Sequence, residues 1–248
     1  MASRKPPDMK YDSPIAYALR HPGKALWKLC RVLLGQVARP VTVGAAGLPA
    51  DTAALFCLDE QRKFNATCDN MYLFGGSLQR QRLENFARWS AAHYPGDFVE
   101  IGAFRGETSR LLARAAAETG RRLIVIDPWM TGSQDCDGTE HQQFLDNIAP
   151  WKEHVDVWRE SSLSAEVIAK LKTRTICFAF VDGLHTLMAA FSDTMAVGHA
   201  QGIIAADDVR YNRDLAFAHN HAAALLGRRS VIDPDMREAY ILPRDTAK

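Results

Sequence analysis

Three aspartates stand where two apolar runs end. Asp182 closes ICFAFVD, and Asp207 and Asp208 close the run within Gly202–Val209 (GIIAADDV). If the two runs are adjacent parallel strands, about 4.8 Å apart, their carboxylates meet at the C-terminal edge of a sheet. Open α/β sheets bind ligands at that edge. Like carboxylates crowded together are unfavourable unless a proton or a cation lies between them. An oxygen-only set suits Mg²⁺, Ca²⁺ or Mn²⁺, with water completing the shell. The plainer alternative makes Asp182 a helix cap and Asp207 and Asp208 solvated loop acids. His185 follows Asp182 by three residues. A neutral imidazole there is a candidate general base near pH 7, and a helix-capping histidine is the alternative.

A second constellation lies earlier, in FVEIGAFRGETS (98–109). Gly102 and Gly106 are four apart, with Ala103 and Phe104 between them. Glycine allows the backbone to approach a ligand where a Cβ would collide. A helix opening at Thr108 would present free N–H groups and the positive end of its dipole. The spacing is not GxGxxG, which disfavours a dinucleotide pyrophosphate. Asp127 ends the run RLIVID, 25 residues after Gly102. A carboxylate there can accept two ribose hydroxyls, or it caps the turn before Pro128. Ser161 and Ser162 follow the third β-like run; they contact a ligand or cap the helix near Ser164.

The elements that must position these groups alternate. β-like runs at Asp97–Gly102, Arg122–Asp127, Val155–Trp158, Ile176–Asp182 and Gly202–Val209 are separated by helical patterns at Thr108–Thr119, Ser164–Leu171 and Leu187–Val197. That alternation reads as βαβ units around a parallel sheet apolar on both faces. An Ala-rich helix at Asp214–Leu226 and two β-like pieces, Ser230–Asp233 and Glu238–Leu242, suggest a closing hairpin. Met130–Glu140, rich in Gly, Ser and Asp, reads as a mobile loop. An amphipathic helix over residues 77–94 offers Leu83, Phe86, Ala87 and Trp89 for packing near the mouth of the site.

VEIGAFRGETS…LIVIDPW resembles the first two signature segments of class I S-adenosylmethionine (SAM)-dependent methyltransferases. The resemblance implies a doubly wound, mostly parallel, seven-stranded Rossmann-like α/β sheet. It also implies that Glu100 lies near the methionine end of SAM and that Gly102, Ala103, Phe104, Gly106 and Thr108 surround the cofactor. Asp127 would bind ribose, with Ser161 and Ser162 near adenine and Asp182 also at the cofactor. VDGLH…GIIAADDV is similar to metal-dependent O-methyltransferases of the catechol and macrocin types. By that similarity Asp182, Asp207 and Asp208 would hold Mg²⁺ and His185 would serve as base, with Asp182 sharing the catalysis. Catechol-type enzymes carry lysine where His185 stands, whereas macrocin-like relatives often carry histidine. The acceptor expected is a hydroxyl of a small molecule or sugar. The rival reading is a SAM-binding scaffold without turnover.

The 248 residues carry a net charge of +1, which argues against a protein held on nucleic acid by phosphate neutralisation. Residues 1–40 concentrate eight Lys/Arg against two Asp, so the rest of the chain is acidic. The expected division is a basic, largely helical extension over 1–70 and a SAM-binding domain over 71–248. Within the extension, Lys24–Val37 puts Lys24, Lys28 and Arg31 on one face and apolar side chains on another. Such a helix docks on its own domain, on a dimer partner, or peripherally on an anionic membrane. Five scattered cysteines without zinc-like spacing fit a reducing compartment. With no signal core or membrane span visible, the cytoplasm is the expected address.

Overall fold

A computed structural model describes residues 77–130, 138–209, 212–232 and 238–244. The expected Lys24–Val37 helix, the 1–70 extension and its boundary lie outside the described residues.

Seven strands form one sheet. They are β1 (Asp97–Ile101), β2 (Leu123–Ile126), β3 (Val155–Trp158), β4 (Ile176–Val181), β5 (Ile204–Ala206), β6 (Ser230–Ile232) and β7 (Ala239–Ile241). Their spatial order is β3-β2-β1-β4-β5-β7-β6. The first five are parallel, and β7 runs antiparallel to both β5 and β6. The expected closing hairpin is therefore present. All residues of β2 and β4 are buried, which is why their sequences read as unbroken apolar runs rather than as alternation.

Helices cover both faces. On one side α1 (Ser77–His93), α2 (Glu107–Glu118) and α3 (Glu140–Ile148) bring Phe86, Leu112 and Phe144 against Phe98 and Phe178 of the sheet. On the other, α4 (Ala165–Lys172), α5 (Leu187–Ala196) and α6 (Arg213–Leu225) pack Val167, Leu171, Ala196 and Leu215 onto Val99, Ile101 and Ile204. Each fully buried aliphatic or aromatic side chain contributes about 1.5–3 kcal/mol to this assembly.

Several boundaries differ from expectation. Helix α2 starts at Glu107, with Gly106 at its N-cap in the left-handed region. Strand β5 spans only Ile204–Ala206 of the expected Gly202–Val209. Gly202 lies so close to Cys177 O that a Cβ would stand 2.0 Å from it, and Asp208 leaves the strand at φ 55°. The loop expected to reach Glu140 stops sooner: Glu140 is buried and opens α3. Trp89 of α1 is not at the ligand edge. It stacks on His93, while the neighbouring Ser90 hydroxyl bonds Ile203 N at the entrance to β5, the opposite end of the strands. No helix among the described residues is long and apolar enough to cross a membrane.

Candidate active site

Parallel registry brings the expected groups together. Glu100 and Ile101 pair with Phe180 and Val181 of β4, and Val181 pairs with Ala206 of β5. The chain segments that leave β1, β4 and β5 therefore emerge side by side. Asp182 N donates to Ile101 O at 2.8 Å and Asp207 N to Val181 O at 3.0 Å, carrying the ladder one step past each strand.

After β1 the chain turns through Gly102 at φ 85°. A Cβ there would stand 2.0 Å from Asp182 O and 2.9 Å from Gly183 Cα, so only glycine lets the two loops meet. Asp127 fixes the turn. Its Oδ2 accepts from Ala103 N at 2.8 Å and Phe104 N at 3.0 Å, and its Oδ1 from Trp129 N at 2.7 Å. The turn-capping alternative is thus realised together with a tie to the glycine turn. Trp129 Nε1 closes the circuit by donating to Phe104 O at 2.8 Å.

Helix α3, not foreseen as a site element, buttresses this turn. Asn147 donates to Arg105 O at 2.8 Å, and a Cβ on Gly106 would stand 2.9 Å from Phe144 Cα. The sequence signal was modest: Phe144 and Ile148 four apart, with Glu140 in the first turn.

A cavity of about 440 Å³ opens along the edge, within the range of small-molecule sites. Its walls include Gly102, Phe104, Asp127, Ser161, Ser162 and Asp182. Ala103, Gly106 and Thr108 do not line it; Ala103 and Gly106 shape the turn, and Thr108 sits in the first turn of α2. Glu100 is wholly buried beneath the edge and also does not line the cavity. Burial pushes its carboxyl up to about 8, with Ser109 opposing and Asp182 and Asp127 adding to the rise.

The capping alternatives for the loop residues fall away. The cap of α4 is Ser164, whose hydroxyl accepts from Val167 N, and that of α5 is Thr186, whose hydroxyl accepts from Ala189 N. Ser161, Ser162, Asp182 and His185 cap neither helix. Ser161 Oγ accepts from Leu163 N at 3.3 Å within the loop.

The acid edge holds an imidazole. His185 Nε2 is 3.2 Å from Asp182 Oδ1, and Nδ1 is 3.5 Å from Asp208 Oδ2. The Asp182 hydrogen bond raises the His185 pKa above its ordinary value, desolvation opposes it, and the charges of Asp182, Asp208 and Asp207 add to the rise. Asp207 is buried, at 6% exposure. The expected Mg²⁺ centre at Asp182, Asp207 and Asp208 is not shown by this arrangement. Among the described residues no three His, Cys, Asp or Glu side chains are disposed to hold a metal, and the His185 ring stands between Asp182 and Asp208.

Residues 99–209, from the middle of β1 to the end of the β5 loop, match a family described as a methyltransferase domain. The chain carries a methyltransferase domain over those residues. Two solved structures resemble the chain in fold. One is apo CalS11, a TDP-rhamnose 3′-O-methyltransferase of calicheamicin biosynthesis, with 13% identity, TM-score 0.53, and coverage of 81% of this chain and 97% of that one. The other is TomG of Streptomyces achromogenes, an O-methyltransferase involved in tomaymycin synthesis and solved with SAM. It has 16% identity, TM-score 0.50, and coverage of 75% and 88% respectively. No curated protein sequence matches the chain significantly.

Proposed function

We propose that the methyltransferase transfers a methyl group from SAM to a hydroxyl of a small molecule or sugar, with His185 as general base. The observation that carries this reading is the His185 imidazole, bonded through Nε2 to Asp182, which itself lines the cavity beside Gly102 and Asp127. Bound SAM would supply a methyl carbon on a cationic sulfur, which leaves as a neutral thioether. Asp182 fixes the ring through Nε2 and stabilises the imidazolium that forms. Nδ1, 3.5 Å from Asp208 and so without a well-formed hydrogen bond, takes the acceptor's hydroxyl proton. The oxygen's freed electron pair forms the new C–O bond. Alignment of oxygen and methyl carbon supplies much of the acceleration. The turn pinned by Asp127 gives the cofactor a fixed seat, and Ser161 and Ser162 border its base.

The acceptor class rests on the fold shared with CalS11 and TomG, both of them O-methyltransferases, and on the histidine in DGLH. No step above is routed through the expected Mg²⁺. Incubation with labelled SAM and a panel of sugar and phenolic hydroxyls tests the reading. Labelled product with release of S-adenosylhomocysteine is expected. Cofactor binding with no transfer to any hydroxyl, and transfer to amines instead, would overturn it.

A further inference from the structure

One buried acid of the cavity has no part in the chemistry above. Asp193 lies in α5, one turn beyond Ala189, and both residues line the cavity. Asp193 is 1% exposed, and its Oδ1 has no hydrogen-bond partner among the described residues. A buried carboxylate oxygen without a donor is costly. Oδ2 lies against the loop after β4: a Cβ on Gly183 would stand 2.8 Å from it. Glycine at that place lets the loop settle onto the acid. Burial pushes the Asp193 carboxyl up to about 6, opposed by a hydrogen bond from the Ser162 hydroxyl. A carboxyl group thus lies buried between the two loops that wall one end of the cavity, with acceptor capacity unused.

We propose that Asp193 selects the purine of the cofactor, its carboxylate accepting a hydrogen bond from the exocyclic 6-amino group of adenine. The assignment rests on the SAM-binding reading above. Among the donors of a sulfonium nucleoside, the ribose hydroxyls fall to Asp127 on that reading. The ammonium is a strongly hydrated cation, poorly suited to a site so enclosed. The 6-amino group is flat, neutral and donor-only, and it complements an acceptor-only partner. A 6-oxo purine would bring a carbonyl oxygen against the carboxylate and be rejected.

The test is calorimetric titration of the full chain with S-adenosylhomocysteine, its 6-unsubstituted purine analogue and S-inosylhomocysteine. A hydrogen bond to a charged group corresponds to roughly 10- to 150-fold in affinity. Wild type is expected to bind the adenosyl compound at least about 10-fold more tightly than the 6-unsubstituted one, with the inosyl compound weakest. In Asp193→Asn the amide NH₂ can face a 6-oxo group, so the adenosyl-to-inosyl ratio is expected to collapse to within about threefold. Equal wild-type affinity for the three ligands would overturn the proposal without any variant. So would an Asp193→Asn protein that keeps the wild-type ratio or loses all ligands in equal proportion, since that describes a merely structural acid. A wild-type chain that binds none of them refutes the SAM-binding reading itself.

Discussion

Removing the Asp127 carboxylate should unlock the turn it pins and, on the proposed reading, weaken cofactor binding. Asp127→Ala deletes three acceptor contacts at once, those from Ala103 N, Phe104 N and Trp129 N. Hydrogen bonds to charged groups contribute about 1.5–3 kcal/mol each when buried. This carboxylate is only part-buried and Phe104 is exposed, so water replaces some of what is lost. About 1 kcal/mol per bond is the better figure, giving a destabilisation of about 3 kcal/mol. That is a large share of a typical folding stability of 5–15 kcal/mol. Asp127→Asn is more informative. Its amide oxygen can keep the Ala103 and Phe104 contacts, but its NH₂ then faces the Trp129 N–H, donor against donor. Asparagine should therefore cost about half as much as alanine in urea unfolding. Both variants should lose S-adenosylhomocysteine affinity by calorimetry, alanine by more than about 10-fold. Equal stability losses for the two, or an alanine variant that binds within twofold of wild type, would refute the idea that this carboxylate organises the turn.

Four further outcomes follow from the same geometry. His185→Gln should lower turnover by about 10²–10⁴-fold, the usual range for a general base, while S-adenosylhomocysteine affinity stays within twofold; unchanged turnover would remove the base. Because Asp182 raises the His185 pKa, the acidic limb of kcat/KM should lie above the ordinary histidine value, with activity lost as pH falls through it, and Asp182→Asn should move the limb downward. Glu100, held up to about 8 against an ordinary 4.5, keeps its proton in the folded chain across a window where the unfolded chain has released it. Ligand-free stability should therefore fall between roughly pH 4.5 and 8, and Glu100→Gln should flatten that decline in urea titrations. Exhaustive chelation should leave activity within about twofold of its starting value; a loss of more than about 10-fold that Mg²⁺ restores would reinstate the cation at Asp182, Asp207 and Asp208.

The sheet was readable because its strands are buried on both sides. ICFAFV and LIVI are apolar at every position, and each becomes a fully covered strand within a residue of its expected ends. What escaped the sequence depends on contacts between distant segments. The boundary of β5 is set by the close approach of Gly202 to Cys177 O, a neighbour in space alone. Helix α3 follows a Gly/Ser/Asp-rich tract and drew no reading from the sequence. Its reason to exist is the fit of Phe144 to Gly106 and Trp129, which no local pattern announces. The acid triad was legible as a juxtaposition but not as an arrangement. Strand adjacency could be inferred from the runs, whereas the position of the His185 ring between two of the acids depends on the loop after β4. Asp193 was overlooked for a similar reason: an acid in mid-helix ordinarily faces solvent, and this one does not.

Strain links these observations to function. Among the described residues, the non-glycine residues with positive φ are Phe104, Trp129 and Asp208, at 47°, 43° and 55°. Each conformation costs about 1–2 kcal/mol for an L-residue. None lies in the body of the sheet; each sits in a loop that leaves β1, β2 or β5 at the ligand edge. Two of them belong to the circuit closed by Asp127 and the Trp129 indole, and the third carries a carboxylate facing His185. Tertiary contacts hold these residues in conformations they would not adopt in isolation, and relaxing any one would loosen a wall of the cavity or free an acid from the imidazole. Glycine at Phe104 should consequently relieve backbone strain, raising stability or leaving it unchanged, while weakening the contact that residue makes in the cavity wall. A substitution that stabilises the chain and impairs ligand binding is the signature expected of strain retained for function. If Phe104→Gly instead lost stability without loss of binding, the positive φ would be a by-product of packing, and the carboxylate–turn circuit would need no functional explanation.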